Sequence, residues 1–314
     1  MFTGSMVALA TPFKNGEVDE ERIPGLVEHQ LKNGTDVICP CGCTGEAATL
    51  THDEQIRIIE RVVEVVAGRV KVVAGTGSNS TSEAIKLTKL AKKAGADGAL
   101  MITPYYNKPT QNGLRLHYEK IAASVDLPIM LYNVPSRTGV NMLPDTVAKL
   151  SKIDNIVAIK EASGSVDQAE AILSMCDITV VSGDDKLILP MMALGAKGVV
   201  SVAANVVPEA IAYLVELIKN SDMKTARKLH YILLPLFNIL FCETNPIPVK
   251  FALSLLELIQ NELRRPLTPL EESHRVDVEV TLRTFYVNID TEPFPSFAMN
   301  AHLAAYARRK IMGL

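Results

Sequence analysis

The strongest constraint on the fold of this 314-residue chain is an eightfold alternation of short apolar runs with longer amphipathic segments. Most runs are apolar at consecutive positions, which is typical of parallel strands covered by helices on both faces. The runs span residues 5–10, 36–41, 70–74, 98–102, 128–131, 156–159, 178–181 and 198–202. Eight strand-then-helix units in succession predict an α/β fold of the (β/α)8 TIM-barrel type, which needs roughly 250 residues.

The segments between the runs have helical periodicity, as in residues 53–67, where Ile56, Ile59 and Val63 share one stripe. A dinucleotide-binding fold is the structural alternative, but no G-x-G-x-x-G sequence follows the first strand, which favours the barrel.

We divide the chain into three parts. The catalytic barrel is expected over residues 1–220, and a C-terminal helical addition over 221–273, with helices near 224–241 and 248–263. Residues 274–314 are expected to form an atypical tail, because clear amphipathic order is lost there.

Composition excludes several classes of function. The net charge of −3 gives no basic excess for nucleic acid, and no stretch of about 18 uncharged apolar residues predicts a membrane span. The N-terminus lacks the basic and apolar regions of a secretory signal. Five cysteines are an odd number, which is typical of reduced thiols and predicts a cytoplasmic protein.

Cys39, Cys41 and Cys43 alternate along the second run, and alternate residues of a strand share one face. However, no second Cys or His cluster lies nearby in sequence, and C-x-C-x-C is not a usual zinc spacing. We therefore expect no metal site and interpret the three cysteines as buried or active-site thiols.

Polar residues follow the predicted strands at the edge where TIM barrels carry their active sites. Lys160 ends the sixth run, where burial lowers the pKa of a lysine and makes its amine a nucleophile toward ketones. Tyr132 offers a phenol for proton transfer, and Arg137 a guanidinium for a carboxylate. Thr44, followed by Gly45, offers a hydroxyl and backbone N–H groups to a carboxylate.

Each of these residues also has an ordinary interpretation. Lys160 alone fits a solvated loop, and Tyr132 alone fits a ring packed at the barrel rim. Arg137 fits a surface ion pair, and Thr44 fits a helix cap.

Four motifs together resemble the dihydrodipicolinate synthase family, within the N-acetylneuraminate lyase superfamily of class I aldolases. They are Gly42-x-Thr44-Gly45-Glu46, Thr103-Pro104-Tyr105-Tyr106-Asn107-Lys108-Pro109, Tyr132-Asn133-Val134-Pro135-Ser136-Arg137-Thr138-Gly139 and Ile159-Lys160-Glu161-Ala162-Ser163. The similarity covers about residues 1–273 and includes segments 182–185 and 245–250. It implies a lyase of the diaminopimelate route to lysine, which condenses pyruvate with L-aspartate 4-semialdehyde to give 4-hydroxy-tetrahydrodipicolinate.

The resemblance assigns the chemical steps to particular residues. It implies that Lys160 forms an imine with pyruvate, that Tyr132 transfers protons, and that Tyr106 completes a hydroxyl relay from the neighbouring subunit. Because the lysine itself activates the ketone, no metal or organic cofactor is expected. A shared relay implies a dimer as the minimal active unit, and we expect a homotetramer built as a dimer of dimers.

The resemblance also implies the substrate contacts. Thr44 binds the carboxylate of pyruvate, and Arg137 binds the carboxylate of the semialdehyde. Gly183 and Val200 line the pocket through their backbones.

Two features of the chain modify these expectations. Cys43 stands where the family usually has the relay threonine, and a thiol is a weaker hydrogen-bond donor and acceptor than a hydroxyl. His52, Asn79, Glu83 and Tyr105 match an allosteric pocket for lysine, but Gln55 replaces a histidine that often accompanies them. We expect Cys43 to take part in the relay and lysine to inhibit weakly.

Two alternative functions remain open from the sequence. The first is another pyruvate-dependent Schiff-base aldolase, of the 2-keto-3-deoxy sugar acid or neuraminate lyase type. The run Tyr-Asn-x-Pro-x-Arg-Thr-Gly argues against it, because those enzymes usually lack the arginine. The second is a non-catalytic barrel that keeps Lys160, for which Cys43 and the atypical tail are the only support.

Overall fold

A computed structural model describes residues 1–291 and contains a closed barrel of eight parallel strands. The strands are β1 (Gly4–Ala8), β2 (Val37–Cys39), β3 (Lys71–Gly75), β4 (Gly98–Ile102), β5 (Ile129–Asn133), β6 (Ile156–Glu161), β7 (Thr179–Ser182) and β8 (Gly198–Ser201). Each strand pairs with its neighbours along the chain, and β8 closes the barrel against β1. The predicted TIM-barrel fold is confirmed.

Each strand is buried on both faces, so its residues divide between two cores. The core inside the barrel contains Met6, Ala8, Val37, Cys39, Val73, Leu100, Met130, Tyr132, Ala158, Val181 and Val200. The residues between them in sequence, such as Val7, Ile38 and Leu131, belong to the core between strands and helices. This period of two gives the continuous apolar runs in the sequence, since neither face meets water.

A helix follows each strand and covers the outside of the barrel. The helices of the eight units are α1 (Ile23–Lys32), α2 (His52–Val66), α3 (Thr81–Lys93), α4 (Gln111–Ala122), the single turn α5 (Pro135–Thr138) with α6 (Pro144–Leu150), α7 (Val166–Met175), α8 (Ile188–Ala193) and α9 (Pro208–Lys219). A short antiparallel hairpin, Phe13–Lys14 with Glu17–Val18, lies between β1 and α1. The helix α2 begins at a capping box, in which Thr51 and Glu54 each satisfy a backbone N–H of the other.

Three more helices extend the barrel: α10 (Met223–Ile239), α11 (Ile247–Leu255) and α12 (Glu272–Thr291). The helix predicted over 248–263 ends earlier, at Leu255, although Leu256, Ile259 and Leu263 beyond it are buried. The helix α12 enters the stretch that we expected to lack amphipathic order. It buries Val278, Leu282, Phe285, Tyr286 and Ile289 at helical spacing and packs on α10 and α11. The remainder of the predicted tail lies outside the described residues.

The two ends of the barrel differ. At the amino end of the strands, the fully buried ring of Phe2 packs against Gly98, where a side chain would collide with it. The ring of Phe2 thus helps to fill this end, and TIM barrels carry their active sites at the opposite end. Within residues 1–291, no helix has the length and apolar composition needed to cross a bilayer.

Candidate active site

A cavity of about 650 Å³ opens at the carboxyl ends of the strands. Its size suits a small organic substrate. Of the predicted site residues, Cys43, Thr44, Tyr132, Arg137, Lys160 and Gly183 line it. The other lining residues are Ala8, Cys39, Gly42, Leu100, Val134, Ser136, Ala162, Asp184, Val202, Phe241, Cys242, Glu243, Thr244 and Asn245.

Lys160 lies inside the barrel because it is two residues after Ala158 on β6, and alternate residues of a strand point to the same side. Its side chain is 5% exposed, and Nζ lies 4.2 Å from the centroid of the Tyr132 ring. Burial lowers the pKa of Lys160, although negative charge on Cys43, Cys39 or Asp185 acts in the opposite direction. A buried lysine with a lowered pKa holds a larger fraction of neutral amine, which is the form that attacks a ketone.

Tyr132 is the direct neighbour of Lys160 across the β5–β6 ladder. Burial raises the pKa of Tyr132, as do the charge and the hydrogen bond of Cys43. The phenol therefore keeps its proton near neutral pH and can donate it to a departing hydroxyl group. The contact between Tyr132 and Cys43 joins two of the three predicted relay positions.

Arg137 and Thr44 are connected by a residue from a distant part of the chain. Arg137 lies on the turn α5, and its Nη2 donates to the backbone carbonyl of Asn245 at 2.8 Å. The side-chain amide of Asn245 donates to the Thr44 hydroxyl at 3.0 Å. Asn245 thus fixes two predicted carboxylate-binding residues, a role that the sequence did not indicate.

Two polar residues that we did not predict lie on the outer face of the strands that carry Tyr132 and Lys160. Asn133 and Glu161 each follow a site residue by one position, so they point out of the barrel. Glu161 accepts hydrogen bonds from Asn133 Nδ2 at 3.0 Å, Gln168 Nε2 at 2.9 Å and the backbone N–H of Ser163 at 2.7 Å. These bonds fix the ends of β5 and β6, where Tyr132 and Lys160 are attached.

Asp185 is a third unpredicted residue, and it is 2% exposed. One of its carboxylate oxygens accepts from the backbone N–H groups of Val202 and Ala203 at 3.1 and 3.0 Å. Burial raises the pKa of Asp185 to about 6, against the effect of hydrogen bonds from Ser201 and these amides. Its negative charge favours the ammonium form of Lys160.

Two predicted site residues do not line the cavity. Val200 is fully buried inside the barrel, and Val202, two positions further on, lines the cavity instead. Tyr106 is 90% exposed, with a positive φ of 72°, on the loop after β4. Its hydroxyl is therefore available to another molecule rather than to the cavity of its own chain.

The three cysteines of the second unit do not converge. Cys39 and Cys43 belong to the interior of the barrel, whereas Cys41 lies in the outer core and its thiol donates to the backbone carbonyl of Gln55. Cys41 has a positive φ of 58°, so the alternation of side chains between the two faces of the strand does not continue through it. In residues 1–291, no group of three or more Cys, His, Asp or Glu side chains is arranged to hold a metal.

A second cavity, of about 510 Å³, adjoins the first, and His52, Glu83 and Tyr105 line it. His52 Nε2 lies 3.1 Å from Glu83 Oε1, and the Ser78 hydroxyl also donates to Glu83. Asn79 does not line this cavity, but its side chain donates to the backbone carbonyl of Tyr105 at 3.1 Å. Three of the four residues proposed for lysine binding therefore share one cavity. It shares part of its lining with the first: Gly42, Cys43, Leu100, Tyr132, Arg137, Thr244 and Asn245.

Comparison with known proteins agrees with this geometry. The 4-hydroxy-tetrahydrodipicolinate synthase of Pelobacter propionicus is 55% identical over 287 residues, which are 91% of this chain and 99% of that protein. The chloride-inhibited dihydrodipicolinate synthase of Acinetobacter baumannii, solved with pyruvate, is 46% identical with a TM-score of 0.89, over 91% of this chain and 99% of that chain. The enzyme of Cyanidioschyzon merolae, solved with lysine bound, is 42% identical with a TM-score of 0.88, over 90% and 98%. The Dihydrodipicolinate synthetase family model matches residues 1–285. The chain therefore belongs to the dihydrodipicolinate synthetase family.

Proposed function

We propose that this chain condenses pyruvate with L-aspartate 4-semialdehyde to give 4-hydroxy-tetrahydrodipicolinate, through an imine on Lys160. The observation that carries the proposal is a buried amine, with a lowered pKa, at the base of an open cavity. Tyr132 lies beside this amine, and Arg137 lines the same cavity. The family and the names of its close relatives support the same reaction.

The first half of the reaction joins pyruvate to the enzyme. The neutral amine of Lys160 attacks the ketone carbon of pyruvate, and the oxygen becomes the hydroxyl of a carbinolamine. Tyr132 donates a proton to this hydroxyl, which leaves as water, and an imine forms. Loss of a proton from the methyl carbon then gives an enamine, a carbon nucleophile.

The second half forms the new carbon–carbon bond. The enamine attacks the aldehyde of the semialdehyde, and the amino group of that substrate then displaces Lys160 to close the ring. In this proposal Cys43 and the partner's Tyr106 return protons to Tyr132. Thr44 binds the pyruvate carboxylate, and Arg137 binds the semialdehyde carboxylate. Gly183 completes the pocket, with Val202 in place of the predicted Val200.

This chemistry uses no metal and no organic cofactor, because the protonated imine withdraws electrons from the reacting carbon. Tyr106 is exposed on its own chain, so a relay that includes it requires a second subunit. We propose a homotetramer assembled from two such dimers, in the cytoplasm.

Reduction of the imine with borohydride tests the proposal directly. Protein incubated with pyruvate and borohydride, then digested for mass spectrometry, is expected to carry a pyruvate-derived adduct on Lys160 alone. Lys250 is an internal control, because it is fully buried but pairs with Glu46 at 2.6 Å and does not line the cavity. Pyruvate-dependent turnover of aspartate semialdehyde completes the test. Absence of the Lys160 adduct would contradict the proposal. If the protein cleaved a 2-keto-3-deoxy sugar acid and did not catalyse the condensation, its function would be that of the alternative aldolase.

A further inference from the structure

Cys43 is placed differently from the other thiols of the described chain. It is half-buried and lines both the active-site cavity and the adjoining second cavity. Cys39 is fully buried, and burial raises its pKa to about 12, while burial raises the pKa of Cys41 further. These two therefore remain unreactive thiols. Cys176, at the end of α7, lies outside the cavity. Cys242 lines the first cavity only, and burial and the negative charge of Glu243 raise its pKa.

The cavity around Cys43 contains basic side chains that attract anions. Lys160 and Arg137 line the same cavity, and Cys43 interacts electrostatically with the amine of Lys160. Reactive cysteines are found in such partly exposed, electropositive surroundings.

Lys160 supplies a second, independent observation that points to a ligand. Its side chain is more than nine-tenths buried and lines the cavity, yet within residues 1–291 its Nζ makes no hydrogen bond or ion pair. A buried polar group without a hydrogen-bond partner is costly, so this amine favours entry of a ligand that can accept a hydrogen bond from it.

The acidic side chains that line the cavity do not pair with Lys160 or Arg137. Glu243 accepts from His274 Nδ1 at 2.7 Å and from the backbone N–H of Glu271 at 3.0 Å. Asp184 accepts from the backbone N–H of Lys186 at 3.0 Å. Both carboxylates are thus engaged with groups other than Lys160 and Arg137.

We propose that Cys43 is a site of reversible modification by small anionic disulfides, and that this modification stops turnover. The Cys43 thiolate attacks one sulfur of the disulfide, the old S–S bond breaks, and the other sulfur leaves as a thiolate. The new mixed disulfide occupies the cavity and removes the thiol from its contact with Tyr132. A dithiol reductant reverses both effects. Only the loss of turnover rests on the proposed function, since the modification itself is detected by mass.

A matched pair of thiosulfonate probes tests the proposal. The anionic probe is (2-sulfonatoethyl) methanethiosulfonate, and the cationic probe of similar size is [2-(trimethylammonium)ethyl] methanethiosulfonate. In both, the thiolate attacks the sulfenyl sulfur and methanesulfinate leaves, so no other oxidant is needed. We expect a Cys43 adduct that forms about tenfold faster with the anionic probe. We also expect a parallel loss of more than about tenfold in turnover, restored by dithiothreitol.

Three variants separate Cys43 from the other thiols, each compared with its own untreated rate. Cys43→Thr is expected to keep its turnover during treatment, whereas Cys242→Ala and Cys176→Ser are expected to lose it as the parent does. Inactivation of Cys43→Thr, full turnover of protein modified at Cys43, or an equal rate with both probes would overturn the proposal. If untreated protein fails to trap pyruvate, the proposed function fails instead, and peptide mapping with the two probes still decides whether Cys43 is the modified thiol.

Discussion

Gly183 lies directly against the side chain of Lys160. A Cβ atom at Gly183 would be 3.0 Å from Cε and 3.1 Å from Cγ of Lys160, and 2.5 Å from Cβ of Ala162. The backbone just after β7 can therefore pack against the side chain of Lys160 only because residue 183 has no side chain.

Gly183→Ala is expected to displace the amine and to slow pyruvate-dependent turnover by about a hundredfold, since small misplacements of a reacting group have effects of this size. The rate of imine trapping on Lys160 should fall with it. Gly25→Ala is a matched control, because nothing lies within 4 Å of a Cβ atom there. Unchanged trapping in Gly183→Ala would show that the contact does not position the lysine.

Cys43→Thr tests the relay. A hydroxyl donates and accepts hydrogen bonds better than a thiol, so we expect the variant to have a higher kcat than the parent. Steady-state kinetics with both substrates measure this directly, and Cys242→Ala controls for the loss of another thiol that lines the cavity. A kcat that is unchanged or lower in Cys43→Thr would contradict the relay role.

Asp185 is expected to make stability depend on pH. Burial raises the pKa of Asp185 from 3.8 to about 6, so the folded protein binds a proton at pH values where the unfolded chain has released it. The contribution of this group to the free energy of unfolding therefore falls as pH rises from about 4 to above 6, by up to about 3 kcal/mol. Asp185→Asn should remove this dependence in denaturant titrations, whereas the exposed Asp177→Asn should not.

The same substitution is expected to affect the chemistry. Without the negative charge of Asp185, the pKa of Lys160 is lowered further. The pH at which borohydride trapping falls to half of its maximum should then move to a lower value. An identical trapping profile in Asp185→Asn would show that the two groups are not coupled.

Arg137→Ala is expected to raise KM for the semialdehyde by about ten- to a hundredfold, the effect of losing a charge-assisted hydrogen bond. Trapping of pyruvate on Lys160 should change far less, because Arg137 is proposed to hold only the second substrate. Arg137→Lys should be intermediate, since an ammonium cannot form a bidentate pair. Arg115→Ala is the control, because it breaks only contacts with Glu119 and Asn112 on its own helix, α4. An equal loss of pyruvate trapping would contradict the assignment.

L-Lysine is expected to inhibit only at concentrations on the order of millimolar. Glu83, the carboxylate available to its ammonium group, already pairs with His52 and accepts from Ser78. Glu83→Gln should abolish the inhibition, whereas Glu64→Gln on the exposed face of α2 should not. If millimolar lysine does not lower the turnover rate, the second cavity is not a regulatory site for lysine.

The sequence predicted the order and position of all eight strands, because burial on both faces leaves a continuous apolar signal. It also predicted Lys160, Tyr132 and Arg137 as site residues from strand ends and family motifs, and all three line the cavity. It did not identify Asn245, because its bonds to Arg137 and Thr44 join residues 108 and 201 positions apart. The helical spacing of apolar residues continues beyond Leu255, where the helix has already ended. Leu256, Ile259 and Leu263 have this spacing because they are buried, although the backbone there is irregular.

The link from Thr44 through Asn245 to Arg137 also has a consequence for biosynthesis. During translation the eight strands, which end at Ser201, leave the ribosome before Asn245 does. A nascent barrel therefore contains Lys160 and Tyr132 before Thr44 and Arg137, the two residues proposed to bind carboxylates, are fixed. The substrate pocket reaches its final form only after synthesis of the segment that follows α10.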